Sequence, residues 1–172
     1  MSRPTLYLIG CASPPVLQMH EWVDRAQEAG WAACVILSEA AATWLTSDQL
    51  RHLEESTGHP VRSGPRSPFE PDPLPPAHAA VGVPVTFATL NKIATGVTDT
   101  IPVGKVCELA GSGLPVALVP RFHEANMTHP QLPLSMTALS TMGIRVAPTG
   151  DADDETFDRE FDKALAWLRE SL

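Results

Sequence analysis

Two threonines mark the part of this sequence that is best suited to bind an anion. Thr86 and Thr89 follow a buried apolar run, Ala79–Val85, and precede an Asn-Lys-Ile-Ala segment that predicts the start of a helix closing at Gly96. A strand passing into a helix in this way places hydroxyls and free helix N–H groups at one edge of an open α/β sheet. The turn could therefore hold a phosphate without a basic side chain, although spacing alone favours the simpler interpretation that Thr89 is only a helix N-cap.

The order of the predicted elements places this turn in a doubly wound sheet. Thr5–Ile9 and Trp31–Leu37 are continuous apolar runs, typical of strands covered on both faces, and Val16–Gly30 between them has the spacing of an amphipathic helix. Further strands are predicted at Leu114–Pro120 and Ile144–Ala147. The sequence therefore predicts an α/β fold with about five parallel strands and helices on both faces.

The rest of the chain divides into helices and one long loop. Helices are predicted at Glu39–Leu45, at Thr46–Gly58 with Ser47 as its cap, and at Val103–Gly111, Leu132–Gly143 and Glu155–Leu172. Seven prolines between Pro60 and Pro76 exclude a helix or a central strand and predict an extended surface loop, residues 60–77, with little ordered hydrogen bonding. The units before and after this loop complete one sheet, so we expect a single domain, 1–172, that ends in an acidic helix, 150–172.

Four predicted loops follow the carboxyl ends of strands and should converge on one crevice. These loops are Gly10–Pro15, Ser38–Glu39, Pro84–Asn91 and Pro120–Met127. The Ser38 hydroxyl could donate to a phosphate there or act as the N-cap of the next helix, and both roles are compatible. The chain lacks the GxGxxG, GxxxxGK[ST] and GxSxG signatures, which weakens dinucleotide-binding, P-loop and α/β-hydrolase functions.

Composition limits the partners and the compartment. A net charge of −8, with acid concentrated in Asp151–Glu170, argues against nucleic acid or an anionic membrane as the main partner. Cys11, Cys34 and Cys107 have no metal-site or disulfide spacing, so we expect no metal and a reducing, cytoplasmic compartment. The sequence shows neither a signal-peptide pattern nor an apolar run of about eighteen residues, so neither export nor a membrane span is expected.

One segment resembles a known family signature. Pro84-Val-Thr-Phe-Ala-Thr89, continuing to Asp99, is similar to the Pro-Ala-Ser-Ala-Asn-Thr signature and its Ile-Ala-x-Gly-Ile-x-Asp continuation in the homo-oligomeric flavin-containing cysteine decarboxylases. That family includes phosphopantothenoylcysteine decarboxylase, and the resemblance extends from Thr5 to Ala147. It implies a single-domain Rossmann-like or flavodoxin-like three-layer sandwich with five to six parallel strands. It also implies bound FMN, a homotrimer with the flavin near the subunit interface, and a small-molecule or peptide substrate.

The resemblance also implies which residues contact the cofactor. Gly10, Ala12, Ser13 and Ser38 would line the phosphate and ribityl side of the FMN. The other residues would contact the flavin or its phosphate. The implied cofactor-binding residues are Gly10, Ala12, Ser13, Ser38, Thr86, Phe87, Ala88, Thr89 and Phe122. Neutral hydroxyls and helix N-termini suit a phosphate monoester in an acidic protein.

The chain departs from the family at positions that handle the substrate. Ala88 replaces the Asn of the signature, which removes an amide able to hold a substrate carboxylate. Of the second family motif, Pro-x-Met-Asn-x-x-Met-Trp, only Pro120 is matched. The position of the family's catalytic histidine falls at Glu70, and the nearby His78 is interpreted as a packing or edge residue. We expect these losses to abolish cysteine decarboxylation by the family mechanism.

The loop after the fourth predicted strand offers different chemical groups. His123 could act there as a catalytic proton donor or a carboxylate ligand, with Arg121, Glu124 and Asn126 as a substrate loop. Two functions stay open: an FMN-dependent enzyme, decarboxylase-like or an oxidoreductase, and a flavin-binding carrier, sensor or regulatory module without turnover. His123 favours the first and the missing Asn and histidine favour the second. We favour the enzyme, because four strand-end loops still form a site.

Overall fold

A five-stranded parallel sheet forms the centre of the computed structural model, which describes residues 3–172. Its strands are β1 (Thr5–Gly10), β2 (Ala32–Leu37), β3 (Ala79–Val85), β4 (Val116–Pro120) and β5 (Arg145–Val146). The spatial order is β2-β1-β3-β4-β5, and all neighbouring strands pair in parallel. This is the flavodoxin-like order, so the predicted α/β fold is confirmed with five strands.

Seven α-helices and two 3₁₀ turns complete the described residues. The helices are α1 (Met19–Glu28), α2 (Glu39–Trp44), α3 (Ser47–Thr57), α4 (Phe87–Thr95), α5 (Ile101–Gly111), α6 (Gln131–Thr141) and α7 (Asp154–Glu170). The 3₁₀ turns are Pro14–Gln18 and Glu124–Thr128. Within residues 3–172, no helix combines the length and the apolarity needed to cross a membrane.

The two faces of the sheet bury separate apolar clusters. One cluster packs α1, α3 and α7 against the sheet, and the other packs α4, α5 and α6. Successive residues of β1 alternate between them, because side chains of a strand point to opposite faces. In the first cluster Trp22 meets Phe157 and Phe161 edge to face, with ring centroids 5.5 and 4.9 Å apart. The apolar stripe of α7 is therefore core packing.

Local hydrogen bonding places two helix starts differently from the prediction. The segment predicted as one helix over Val16–Gly30 begins as the 3₁₀ turn Pro14–Gln18 before α1 starts. In α3 the cap is Thr46, and Ser47 is the first helical residue, so the prediction of Ser47 as the cap was wrong. The Gln49 N–H donates to Thr46 Oγ1 at 3.2 Å and the Gln49 side chain accepts from the Thr46 N–H at 2.8 Å. This reciprocal pair is a capping box.

The proline-rich loop, residues 60–77, is attached more firmly than its composition predicts. The backbone N–H and carbonyl of Arg62 both bond to β2, at 3.1 and 2.9 Å. Further along, the Tyr7 hydroxyl donates to the Pro75 carbonyl at 2.8 Å. The expectation of little ordered hydrogen bonding was therefore wrong at both ends of the loop. Between them the chain reaches outward, and Phe69 is 95% exposed.

Candidate functional site

A cleft of about 660 Å³ opens at the carboxyl edge of the sheet, where β1, β3 and β4 end. It is lined by Ala12, Ser13, Pro14, Thr86, Phe87, Ala88, Arg121, Phe122, His123, Glu124, Asn126 and Asp151. The strand order reverses direction between β1 and β3, and ligands of doubly wound sheets bind in the crevice at such a switch point. Three of the four loops predicted to converge meet in this cleft.

The cleft contains most of the residues that the sequence singled out. Six of the nine predicted cofactor residues and all four predicted substrate-loop and catalytic residues line it. Gly10, Ser38 and Thr89 do not. A Cβ on Gly10 would lie 2.5 Å from Met19 Cε, so this glycine serves the packing of α1 on β1. Ser38 caps α2, because its Oγ accepts from the Ala41 N–H at 3.1 Å.

The turn between β3 and α4 is organised by Thr86. The Thr89 N–H donates to Thr86 Oγ1 at 3.2 Å, and the two hydroxyl oxygens lie 3.0 Å apart. Thr86 is therefore the N-cap, and α4 begins at Phe87; the predictions of Thr89 as cap and of a start at Asn91 were wrong. The N–H groups of Phe87 and Ala88 have no partner inside the helix, as is usual for a first turn. Both residues line the cleft.

One hydrogen bond and one buried thiol complete the floor of the cleft. The Ser13 hydroxyl donates to the Arg121 carbonyl at 3.1 Å, which ties the loop after β1 to the loop after β4. Cys11 lies buried next to the capped turn. Burial raises the pKa of the Cys11 thiol, and hydrogen bonds from the Thr89 side chain and the Thr86 backbone oppose that shift. The thiol therefore stays neutral near pH 7 and behaves as a packing group.

Comparison with known proteins agrees with this geometry. Residues 2–158 match the model of the Flavoprotein family. The chain belongs to the flavoprotein family. The resemblance seen in the Pro84–Asp99 segment is confirmed by this match, whereas no curated protein matches the chain.

Solved structures of flavoproteins share the fold. A mutant PPC decarboxylase superposes with a TM-score of 0.76 at 16% identity, covering 99% of this chain and 100% of the other. The FMN-dependent cysteine decarboxylase TvaF from thioviridamide biosynthesis superposes with a TM-score of 0.69 at 21% identity, covering 95% of this chain and 98% of the other. A dodecameric FMN-dependent UbiX-like decarboxylase from Escherichia coli O157:H7 superposes with a TM-score of 0.70 at 16% identity, covering 96% of this chain and 94% of the other. At these identities the likeness shows the fold alone.

The residues of the cleft fit a flavin. The rings of Phe87 and Phe122 meet edge to face with centroids 5.3 Å apart, and they offer an aromatic wall to a flat apolar ring system. The Thr86 hydroxyl, with the first N–H groups of α4, suits the phosphate, and the Ser13 oxygen, whose proton goes to the Arg121 carbonyl, can still accept from the polar chain. A volume of about 660 Å³ lies within the usual range for cofactor sites.

The loop after β4 has a different character from the turn after β3. Arg121 is already paired, because its Nη2 lies 3.1 Å from Asp154 Oδ1 and its guanidinium lies 5.8 Å from the Phe157 ring centre. His123 and Glu124 are exposed, and Asn126 is half-buried. The loop thus presents titratable side chains to the open side of the flavoprotein cleft.

Sequence reasoning missed one contributor to the cleft. Asp151 was assigned to the acidic C-terminal segment, but it lines the cleft because the chain after β5 is fixed under the β4 loop. The Phe122 N–H donates to the Gly150 carbonyl at 2.8 Å, and the Thr149 hydroxyl donates to the Pro120 carbonyl at 2.6 Å. The available signal was position, since this segment also follows the carboxyl end of a strand.

Two histidines outside the lining also have definite places. The exposed His129 ring meets Phe87 edge to face, with centroids 5.4 Å apart, and so packs against the aromatic wall. His78 accepts a hydrogen bond from the Thr5 N–H at 3.0 Å, where β1 and β3 begin, at the edge of the sheet opposite the cleft. No group of three or more His, Cys, Asp or Glu residues within 3–172 is arranged to hold a metal.

Proposed function

We propose that this flavoprotein binds FMN in the strand-end cleft and acts as a flavin-dependent enzyme whose reaction differs from cysteine decarboxylation. The observation that carries the proposal is the shared lining of one cleft by hydroxyls, helix N–H groups and aromatic rings. Several proteins with this fold are described as FMN-dependent or FMN-binding, among them the cysteine decarboxylase SpaF and the protein AtHal3.

The phosphate would be held by neutral groups. The N–H groups of Phe87 and Ala88 and the Thr86 hydroxyl would bind it, because the Arg121 charge is partnered by Asp154 and the Ser13 hydroxyl donates to the Arg121 carbonyl. Bound FMN supplies redox chemistry that no side chain of the cleft can supply. The protein sets the orientation of the ring and the access of substrate.

The substrate side would rest on the loop after β4. His123 is exposed in the cleft lining, where a proton donor or a carboxylate ligand could act. Arg121, Glu124 and Asn126 share that loop, and a small molecule or a peptide carrying a carboxyl group is the substrate class it suits. Because Ala88 offers no amide, the reaction is decarboxylase-like with altered specificity, or an oxidation–reduction.

One observation favours a second function, a flavin-binding carrier, sensor or regulatory module. Ala88 lacks the amide of the family signature, and the aligned position of the catalytic histidine is Glu70, in the exposed part of the proline-rich loop. A flavin site without these groups could bind the cofactor without catalysing a reaction.

Assembly and location follow the same proposal. We expect a homo-oligomer, a trimer or a multiple of trimers, and one fold-neighbour is described as a dodecamer. Three free cysteines support a reducing cytoplasm. The whole chain, 1–172, would act as a single flavin-binding domain.

A substrate survey with two variants tests the enzyme proposal. FMN-loaded protein is mixed anaerobically with thiol and carboxylate compounds, including peptides ending in cysteine, while flavin absorbance and product mass are followed. We expect no decarboxylation of the cysteine peptides, flavin reduction by another member of the panel, and loss of that reduction in His123→Ala. Ala88→Asn restores the family amide and serves as the matched gain-of-function control. A flavin that stays oxidised with every compound would instead support the carrier or sensor function.

A further inference from the structure

A second hollow, of about 620 Å³, lies between the proline-rich loop and α5. Its lining, here called the cationic hollow, consists of Arg62, Arg66, Thr98, Ile101, Gly104, Lys105, Cys107 and Glu108. None of these residues lines the flavin cleft, so the two sites are separate. The chain has only 12 lysines and arginines against 20 acids, and three of those cations meet here.

The cations of the hollow exceed the acids that neutralise them. The side chains of Arg62 and Lys105 are only 14% and 16% exposed. Asp72 lies 3.1 Å from Arg62 Nη1 and 3.6 Å from Lys105 Nζ, and Glu108 lies 3.0 Å from the same Nζ. Two carboxylates thus pair with two of the three cations, in a place where partial burial strengthens the field.

Protein groups leave part of this cationic network unused. Arg66 donates to the Glu70 carbonyl, but no carboxylate within residues 3–172 forms an ion pair with it. The Arg62 Nε–H is buried and has no hydrogen-bond partner among the described residues. A buried donor without a partner costs free energy, and so does a concentration of like charge. The cost of the concentrated charge would fall if an anion entered the hollow.

We propose that the cationic hollow binds a small oxyanion of the phosphate or carboxylate class. Arg66 and Lys105 hold the anion directly, and Arg62 adds its charge from the wall of the hollow. The guanidinium group suits this role, because its planar fork matches two oxygens of a phosphate or carboxylate. Thr98 adds a neutral hydroxyl to the same lining. The proposal goes beyond flavin binding and does not depend on it.

The chain carries a built-in reporter for this site. Cys107 lines the hollow and is half-buried, whereas Cys11 and Cys34 are 2% and 0% exposed. In the native protein, reaction of thiols with a disulfide reagent therefore measures Cys107. A dianionic reagent, dithiobis(nitrobenzoate), should be attracted by the cations, and neutral dithiodipyridine should not.

The experiment measures the ratio of the rates for the two reagents in the native protein, with Cys107→Ser as the blank. Inorganic phosphate or citrate should lower the rate with the dianionic reagent more than potassium chloride does at equal ionic strength. Arg66→Gln should reduce the ratio about three- to tenfold and abolish the competition, because one unpaired charge is removed at close range. Lys105→Gln should act in the same direction.

Controls and alternative results make the test decisive. Lys163→Gln removes a cation on α7 that pairs with Glu160 at 2.7 Å, away from the hollow, and should leave the ratio unchanged. Protection by phosphate alone would assign a phosphate ligand, and protection by citrate alone a carboxylate. An unchanged ratio in Arg66→Gln, or phosphate and citrate acting no better than chloride, would overturn the proposal.

Discussion

The turn after β3 and the loop after β4 border the same cleft but are built in opposite ways. In the turn, polar groups bond to one another: Thr86 caps α4, its hydroxyl meets that of Thr89, and Leu90 is buried beneath. In the loop, His123 and Glu124 face solvent. The segment Pro84–Asp99 retains the first and last residues of the family signature and most of its continuation, while the loop retains one proline. We therefore propose that the fold fixes the cofactor side of the site, whereas the substrate side differs from that of the family.

The variant His123→Ala should have the largest effect, and it tests whether the loop after β4 acts on substrate and not on the cofactor. If the loop handles substrate, the variant should lose about a hundredfold or more in turnover, the scale of general acid–base catalysis, while its FMN dissociation constant stays unchanged. Stopped-flow flavin absorbance measures the first quantity and fluorescence titration the second. His52→Ala, which removes an exposed histidine on α3 that does not line the cleft, is the control. Loss of FMN affinity in His123→Ala would mean that this residue binds the cofactor, and it would contradict the assignment of the loop after β4 to the substrate.

Gly10→Ala tests whether the loop after β1 belongs to the fold or to the ligand. The new methyl group would meet Met19 Cε at 2.5 Å and Leu37 Cδ2 at 2.9 Å, so we expect about 1–3 kcal/mol less stability in urea unfolding. FMN affinity of the folded variant should change little. The same substitution at Gly104 in α5 meets nothing within 4 Å and should be neutral or slightly stabilising. Equal behaviour of the two variants would contradict the packing role of Gly10.

Thr86→Val tests the two roles of Thr86, which are to cap α4 and to bind FMN. The variant should lose about 1 kcal/mol of stability, because the cap hydrogen bond to the Thr89 N–H disappears. It should also bind FMN about two- to tenfold more weakly, which is the range for one lost hydroxyl bond. Thr86→Ser keeps the hydroxyl and is the matched control. Weakened binding in Thr86→Ser as well would show that the hydroxyl is not what holds the ligand.

Tyr7 extends the comparison to the proline-rich loop, which is also fixed by specific contacts. Burial, followed by the Asp72 carboxylate, raises the pKa of Tyr7 from 10.0 to about 12. The neutral phenol therefore contributes stability that is complete below pH 10 and is lost as the pH rises through about 12. Tyr7 is the only tyrosine, so tyrosinate absorbance reports it alone. A native titration near pH 10, as in the unfolded chain, would mean that this end of the loop is open to solvent.

Strands and strand-end loops could be predicted from the sequence, because a continuous apolar run such as Ala79–Val85 has few structural alternatives. Helix ends at glycine could be predicted equally well from the sequence, and Gly58 and Gly96 both adopt positive φ at the ends of their helices. Helix starts were less so, since Thr46 and Thr86 each compete with another hydroxyl nearby and only geometry decides which one accepts the N–H.

Other parts of the site depend on contacts distant in sequence. Asp151 reaches the cleft through hydrogen bonds between the segment after β5 and the β4 loop, and the pairing of Arg62 with β2 joins residues that no local pattern connects. Ser38 looked equivalent to Ser13 because both follow strands. The strand order decides between them, since β1 lies at the switch point and β2 lies at the edge of the sheet.

Titration of the purified chain with FMN tests the central claim most directly. The account predicts a yellow protein that releases FMN on denaturation, or an apoprotein that quenches FMN fluorescence with saturation at one flavin per chain. Thr86→Val should shift that curve to higher concentration. A colourless preparation whose titration leaves FMN fluorescence unquenched would contradict the account, whatever reactions the protein is later found to catalyse.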